Sequence, residues 1–434
     1  MTKETVQKPF IFVLFGATGD LALKKIFPAL EALHKEGAFA SGAKIVAVSR
    51  RDWDDRALVD FLKKNKAVSG DDFSRLISYS KVDIEADTGY AELAASIERL
   101  RADAHGSDIV YYSALAPAFH GRVAQGLRVA GLLVRGSSEK LLIEKPFGTS
   151  EKTACELDLL LESLIDEEQI FRIDHYLGKD TVRAIMDIHE RTPEFSNLIS
   201  AASVRSIRVR LFEEKGIGDR GASYDGVGAF RDVGQNHMLE MLAALAAEFG
   251  EKAGGKTGAD WQSARAAALS RLAPPARTCE MSRRGQYEGY AGEEGVRAGS
   301  TTETAFEVVT SFLSGKLKGI PVTLEAGKKM GASEAFVEVS FKDIPELPRR
   351  MIFRVQPEQE VSIEGGEGPD SSFDVPKTRD AYGNIILAAL AGSRREFVGR
   401  EEIEALWSYA DHVVACWGKV PLETYGEGKP FLIK

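Results

Sequence analysis

Residues 10–25 read FIFVLFGATGDLALKK. The apolar run Phe10–Phe15 is short and does not alternate, as in a strand buried on both faces. Gly16 and Gly19 follow at once, and Leu21, Ile26, Leu30 and Leu33 then recur at helical spacing through Asp20–Gly37. Strand, glycine turn and helix start make a corner suited to phosphate. Glycine permits a tight turn and close backbone approach, and a helix N-terminus offers unpaired N–H groups and the positive end of its dipole. The spacing is GxxGxL rather than GxGxxG, so a plain glycine-containing turn is the competing reading.

Outward from this corner the pattern repeats. Lys44–Val48, Asp108–Ser113 and Lys140–Glu144 read as strands, and Ala57–Asn65 and Gly121–Ala130 as helices. Strands alternating with helices predict an α/β Rossmann-like, doubly wound parallel sheet over residues 1–176. Over 177–434 the period changes. Val204–Phe212, Phe306–Leu313, Phe336–Phe341 and Met351–Val355 alternate with period two, which predicts an α+β domain with a large, mainly antiparallel sheet covered on one face. A helix is expected over Gln235–Phe249. Glu251–Ala273 reads as a loop plus a surface helix stopped by Pro274 and Pro275, and Glu364–Asp374 as a polar loop.

The chain has 434 residues and a net charge of −9. That balance argues against nucleic acid or an anionic membrane as partner, because both need a positive field. An anionic substrate then needs a local cationic pocket. Cys155, Cys279 and Cys416 are few, odd in number and far apart, without metal-ligand spacing, which fits a reducing cytoplasm. No run of 18 or more apolar residues is present, and the expectation is a soluble cytoplasmic protein. His34 and His189 fall on surface-helix patterns and His412 in a C-terminal helix. His34 and His189 have no histidine or cysteine at i+3 or i+4, and no metal is expected.

Arg50 and Arg51 close the second strand, where an acidic residue would bind the ribose hydroxyls of NAD. Arginine there suits the 2′-phosphate of NADP. Asp52 and Asp54 follow, so NAD stays open as a secondary cofactor.

GATGDLALKK (16–25), EKPFG (144–148), RIDHYLGK (172–179) and RDVGQNHM (231–238) together resemble the ordered motifs of the glucose-6-phosphate dehydrogenase family. The resemblance runs from about residue 10 to about residue 430, with shorter matches such as DAY (380–382) downstream. RIDHYLGK, eight consecutive residues with several ionisable types in fixed order, is the most specific. The segment after it, IHERTPEFSNLISAASVRS (188–206), lacks the family's Phe-Ala-Asn and Trp-Asn-Arg triplets, marking a divergent member.

The resemblance implies hydride transfer from C1 of glucose 6-phosphate to NADP, with His237 as general base. A base works best with a pKa near the operating pH, which favours histidine. Asp174 is then the carboxylate that orients it. His175, Tyr176 and Lys179 match the phosphate grip, and Lys145 reaches sugar and cofactor. Glu213 and Asp232 match positions that bind sugar hydroxyls, with Glu214 competing for the first role; Lys328 and Gln356 are further sugar contacts. On the cofactor side stand Gly16, Ala17, Thr18, Gly19, Asp20, Leu21, Arg50, Lys145 and Tyr112, with Tyr111 competing for the last role. The family also implies a cis bond before Pro146 and a homodimer or homotetramer formed through the exposed sheet face. Rival readings are the same chemistry on another sugar phosphate, such as an amino sugar or epimer, and a catalytically silent NADP-binding relative.

Overall fold

The computed structural model of the chain describes residues 6–103, 107–249, 258–273, 279–366 and 369–429. The chain forms two compact units, Met1–Gly178 with Arg379–Arg400, and Lys179–Thr378 with Glu401–Lys434.

The first unit is built on a six-stranded sheet whose paired strands all run parallel. Its strands are β1 (Phe10–Phe15), β2 (Lys44–Ser49), β3 (Ile77–Lys81), β4 (Asp108–Ser113), β5 (Lys140–Glu144) and β6 (Ile170–Ile173), in the order β3-β2-β1-β4-β5-β6. All six residues of β1 are buried, as expected of a central strand in a parallel sheet. The helix Asp55–Lys64 is capped locally, Asp54 accepting the Ala57 N–H at 2.8 Å at its head. Arg172 on β6 is wholly buried, held by Asp158 at 2.6 Å and Glu167 at 2.7 Å. The helix Ala381–Ala391 also belongs to this unit. Tyr382, Ile385, Ile386 and Leu390 enter its core, and the helix ends on Gly392 in the left-handed region.

The second unit carries nine strands: β7 (Val204–Phe212), β8 (Arg283–Tyr287), β9 (Ala305–Ser311), β10 (Pro321–Gly327), β11 (Glu334–Phe341), β12 (Arg350–Gln356), β13 (Glu360–Glu364), β14 (Ser371–Asp374) and β15 (Leu422–Tyr425). Their order is β14-β13-β12-β11-β7-β10-β9-β8-β15, antiparallel except at β7–β10 and β8–β15. The helix Asp180–Arg191 packs on β12, and a π-helical stretch, Phe230–Met238, packs on β7 and β10. Cross-strand ion pairs link neighbouring strands, Arg210 to Glu325 at 2.6 Å and to Glu334 at 2.9 Å.

Several expectations are corrected. The helix expected from Gln235 begins at Phe230 and continues as Leu239–Ala246. The surface helix is Gly258–Ser270, and it is not superficial. Trp261 and Arg265 are fully buried, and Arg265 lies 2.5 Å from Glu402 and 3.6 Å from Glu240, both also fully buried. Its alanines hide the amphipathic signal. Residues 251–257 of the expected loop, and Pro274 and Pro275, lie outside the described residues. The polar loop contains β14, recruited by pairing to β13. His189 is buried, hydrogen-bonded at 2.9 Å to both Ser196 and the Leu245 carbonyl. Cys279 and Cys416 form a disulfide across 137 residues, leaving Cys155 as the free thiol. That pairing is made by the fold, and no spacing signals it. Among the described residues no helix is long and apolar enough to cross a membrane.

Candidate active site

In the first unit, the strand order reverses between β1 and β4, and a crevice opens outside the carboxyl ends of the strands at such a point. A cleft of about 520 Å³ lies there, lined in part by Gly16, Thr18, Gly19, Arg50 and Glu85. Gly16 has φ +79°, and a Cβ on it would meet the Ala114 carbonyl oxygen at 2.5 Å. Both the backbone conformation and the β4 loop therefore require glycine. The Gly16 and Ala17 N–H groups donate to the Val48 carbonyl at 3.1 Å, and the Gly19 N–H to the Gly16 carbonyl at 2.9 Å. A glycine turn that opens on the cleft at a helix entrance fits a dinucleotide pyrophosphate.

Of the other sequence-predicted cofactor residues, Ala17 is buried, Leu21 is half-buried, and Asp20 is exposed and paired with Lys24 at 2.6 Å. Tyr112 is fully buried, its hydroxyl donating to Glu144, so that hydroxyl is engaged inside the unit rather than offered to a cofactor. The Tyr111 hydroxyl likewise donates to the Leu132 carbonyl, at 2.6 Å. Burial pushes Glu144 up to about 7. Sequence reasoning missed Glu85 and the loop after β4, Ala114–Ala116, all of which line the cleft. Neither contains a phosphate-binding signature.

Lys145 follows β5, half-buried, with a cis bond to Pro146. Asp174 follows β6 and is 1% exposed, its Oδ1 accepting the Tyr176 N–H at 2.9 Å. His175 and Tyr176 lie in the turn His175–Gly178. The His175 ring stacks on Tyr382, centroids 5.5 Å apart and planes 10° apart, and Asn384 donates to the Gly178 carbonyl at 2.9 Å. The helix Ala381–Ala391 therefore positions this turn. Tyr382 belongs to the DAY match, to which the sequence reading assigned no role.

In the second unit, β7, β10 and β12 all run in one direction. Their carboxyl ends bring Glu213, Lys328 and Gln356 to one edge of the sheet. Lys328 is 1% exposed. Its ammonium is ion-paired with Glu213, lies 3.0 Å from Asp232, and sits 5.3 Å above the Tyr224 ring. Arg220 approaches Asp232 from another side at 3.3 Å. Glu214, by contrast, is exposed, its N–H donating to Ser333 Oγ at 3.0 Å. Gln356 is half-buried at the end of β12. Lys179 opens the unit, half-buried, just before the helix Asp180–Arg191.

Asp232 and His237 both lie on the π-helical stretch, and His237 is 4% exposed. Residues five apart on an α-helix diverge by about 140°. The i→i+5 repeat of a π-helix instead sets them roughly one turn apart, toward one side. The head of this stretch is held by Glu303, a buried carboxylate that accepts the Phe230 N–H at 3.0 Å. Burial pushes Glu303 up to about 7.

Residues 13–184 match the family model "Glucose-6-phosphate dehydrogenase, NAD binding domain", and residues 192–430 match "Glucose-6-phosphate dehydrogenase, C-terminal domain". The chain is 29% identical to the glucose-6-phosphate 1-dehydrogenase of Bacillus subtilis, covering 96% of this chain and 93% of that one. It is 30% identical to that of Caenorhabditis elegans, covering 92% and 84%. Among solved structures, a glucose-6-phosphate 1-dehydrogenase from Mycobacterium avium superposes with a TM-score of 0.83 at 29% identity, over 97% of this chain and 94% of that one. A glucose-6-phosphate dehydrogenase in complex with glucose-6-phosphate shares the fold, with a TM-score of 0.87 at 24% identity over 98% and 96%. Two family matches that together take in both sheets, with near full-length relatives, lead to one conclusion: this chain belongs to the glucose-6-phosphate dehydrogenase family.

Proposed function

We propose that this chain oxidises glucose 6-phosphate at C1 to the 6-phosphoglucono-lactone, with NADP as acceptor. The observation that carries the reading is the edge of the second unit's sheet, where buried Lys328 joins Glu213 and Asp232. Carboxylates fixed by a cation accept hydrogen bonds from neighbouring hydroxyls in a defined direction, which is what reading sugar stereochemistry requires. The nucleotide, when bound in the glycine cradle, supplies the hydride acceptor.

In this reading His237 takes the proton from the C1 hydroxyl. Asp174 holds the second imidazole nitrogen and stabilises the imidazolium that forms. His175, Tyr176 and Lys179 bind the phosphate, supplying the local positive charge that a chain of net charge −9 needs. Lys145 orients the sugar against the nucleotide, Gln356 adds a polar sugar contact, and Arg50 meets the 2′-phosphate. The charged cross-strand ladder of Arg210, Glu325 and Glu334 lies on the sheet face we assign to a symmetric partner, as homodimer or homotetramer.

The test is initial rate with glucose 6-phosphate, varying NADP and NAD separately. Turnover supports the reading. A folded chain that binds NADPH but turns over no hexose phosphate sinks it in favour of the silent relative, and turnover only on an amino sugar or epimer moves the substrate assignment. Sedimentation velocity checks the partner; a monomer at micromolar concentration removes it.

A further inference from the structure

Among the described residues, the nucleotide cleft is lined by one cationic side chain, Arg50, and two carboxylates, Asp83 and Glu85. That balance is poor for a 2′-phosphate. Neighbouring cations are directed elsewhere: the Arg51 guanidinium lies 4.8 Å over the Trp53 ring, and Lys81 pairs with Asp52 at 3.1 Å. Asp83 is engaged in its own turn. Its Oδ1 accepts the N–H groups of Glu85 at 3.0 Å and Ala86 at 3.2 Å, and its backbone exchanges hydrogen bonds with Thr88 at 3.0 and 3.1 Å. The turn is thus pinned at its base, and Glu85 within it reaches Arg50 at 3.3 Å.

We propose that Glu85 is a specificity-determining residue for the cofactor. It competes with the 2′-phosphate of NADP for Arg50, and its carboxylate accepts from the ribose 2′-hydroxyl of NAD, so the chain takes both nucleotides. An acid beside the ribose is the usual device for NAD. Here it comes from the loop after β3, whose strand adjoins β2, instead of from the end of β2 itself. The Arg50–Glu85 pair is exposed, at 75% and 59% of the side chains. A pair so exposed holds by a factor of about five at most, so Arg50 can leave it for a phosphate. The inference rests on the dinucleotide reading of the cleft.

The test is equilibrium binding to the full chain, with NADPH and NADH fluorescence as readout, for the parent chain, Glu85→Gln and Arg50→Ala. In Glu85→Gln, NADPH binding is expected to tighten about threefold and NADH binding to weaken about tenfold. In Arg50→Ala, NADPH binding falls and NADH binding holds. The NADPH gain in Glu85→Gln shrinks at high ionic strength. A ratio of the two dissociation constants in Glu85→Gln within about twofold of the parent overturns the inference and leaves the functional reading intact. A parent chain that binds neither nucleotide overturns both.

Discussion

Lys328 is an ammonium with 1% exposure, and such a charge is tolerable only because Glu213 and Asp232 meet it. Lys328→Met leaves two carboxylates facing each other without the cation. We expect a rise in KM for glucose 6-phosphate, with NADPH affinity unchanged because the glycine cradle belongs to the other unit; steady-state kinetics and fluorescence titration read the two separately. His237→Asn should lower turnover by roughly 10²–10⁴-fold, the usual worth of a general base, and spare cofactor binding. An unchanged rate removes His237 from the mechanism. Among these residues, ionisable types in fixed order were legible in the sequence. Their partners were not: Glu213 and Lys328 are separated by more than a hundred residues and meet only because β7 and β10 lie side by side.

The elements that matter most are two helices. One is the π-helical stretch Phe230–Met238, whose head is held by Glu303 and packed by Phe230 against Phe306 and Trp417 at 4.9 and 5.6 Å. Burial raises Glu303 from its ordinary 4.5 to about 7, so between those values the folded chain binds more protons than the unfolded one. Stability therefore falls as pH rises from about 4.5 to about 7, by roughly 3 kcal/mol from this group. Glu303→Gln keeps an acceptor for the Phe230 N–H and cannot ionise. Thermal unfolding from pH 5 to pH 8 should show a flatter decline in this variant than in the parent; parallel curves would contradict the assignment. The other helix is Ala381–Ala391. Asn384→Ala frees the Gly178 carbonyl and should loosen the His175–Gly178 turn, raising KM for glucose 6-phosphate severalfold at nearly constant kcat. Periodicity made four strands of each sheet readable, but it could not place this apolar helix, because a helix apolar all round carries no face to read.

Across the molecule, the chain leaves the first unit at Gly178 and returns to it for Arg379–Arg400 before ending in the second. The last segment is tied back within its unit by the Cys279–Cys416 bond and by pairing of β15 with β8. A cross-link closing so long a loop is typically worth about 2–4 kcal/mol, mainly by restricting the unfolded chain. Reduction, or Cys279→Ser, is therefore expected to lower the denaturation midpoint of the second unit. Denaturant unfolding with and without reductant measures this, and coincident curves would mean the bond contributes nothing.

By itself the sequence determined the fold class, the family, and which residue types stand at the ends of which strands. Those are properties of local pattern: a buried strand before a glycine turn, period-two runs, and ionisable residues in fixed order. Only the tertiary structure decided which charges meet. It turned Tyr112 inward to Glu144, set Glu85 against Arg50, buried Arg265 between two glutamates, joined two distant cysteines and brought Tyr382 under His175. Each of these joins segments that are separate in the chain, and their meeting follows from strand order and packing, which no local window of sequence contains.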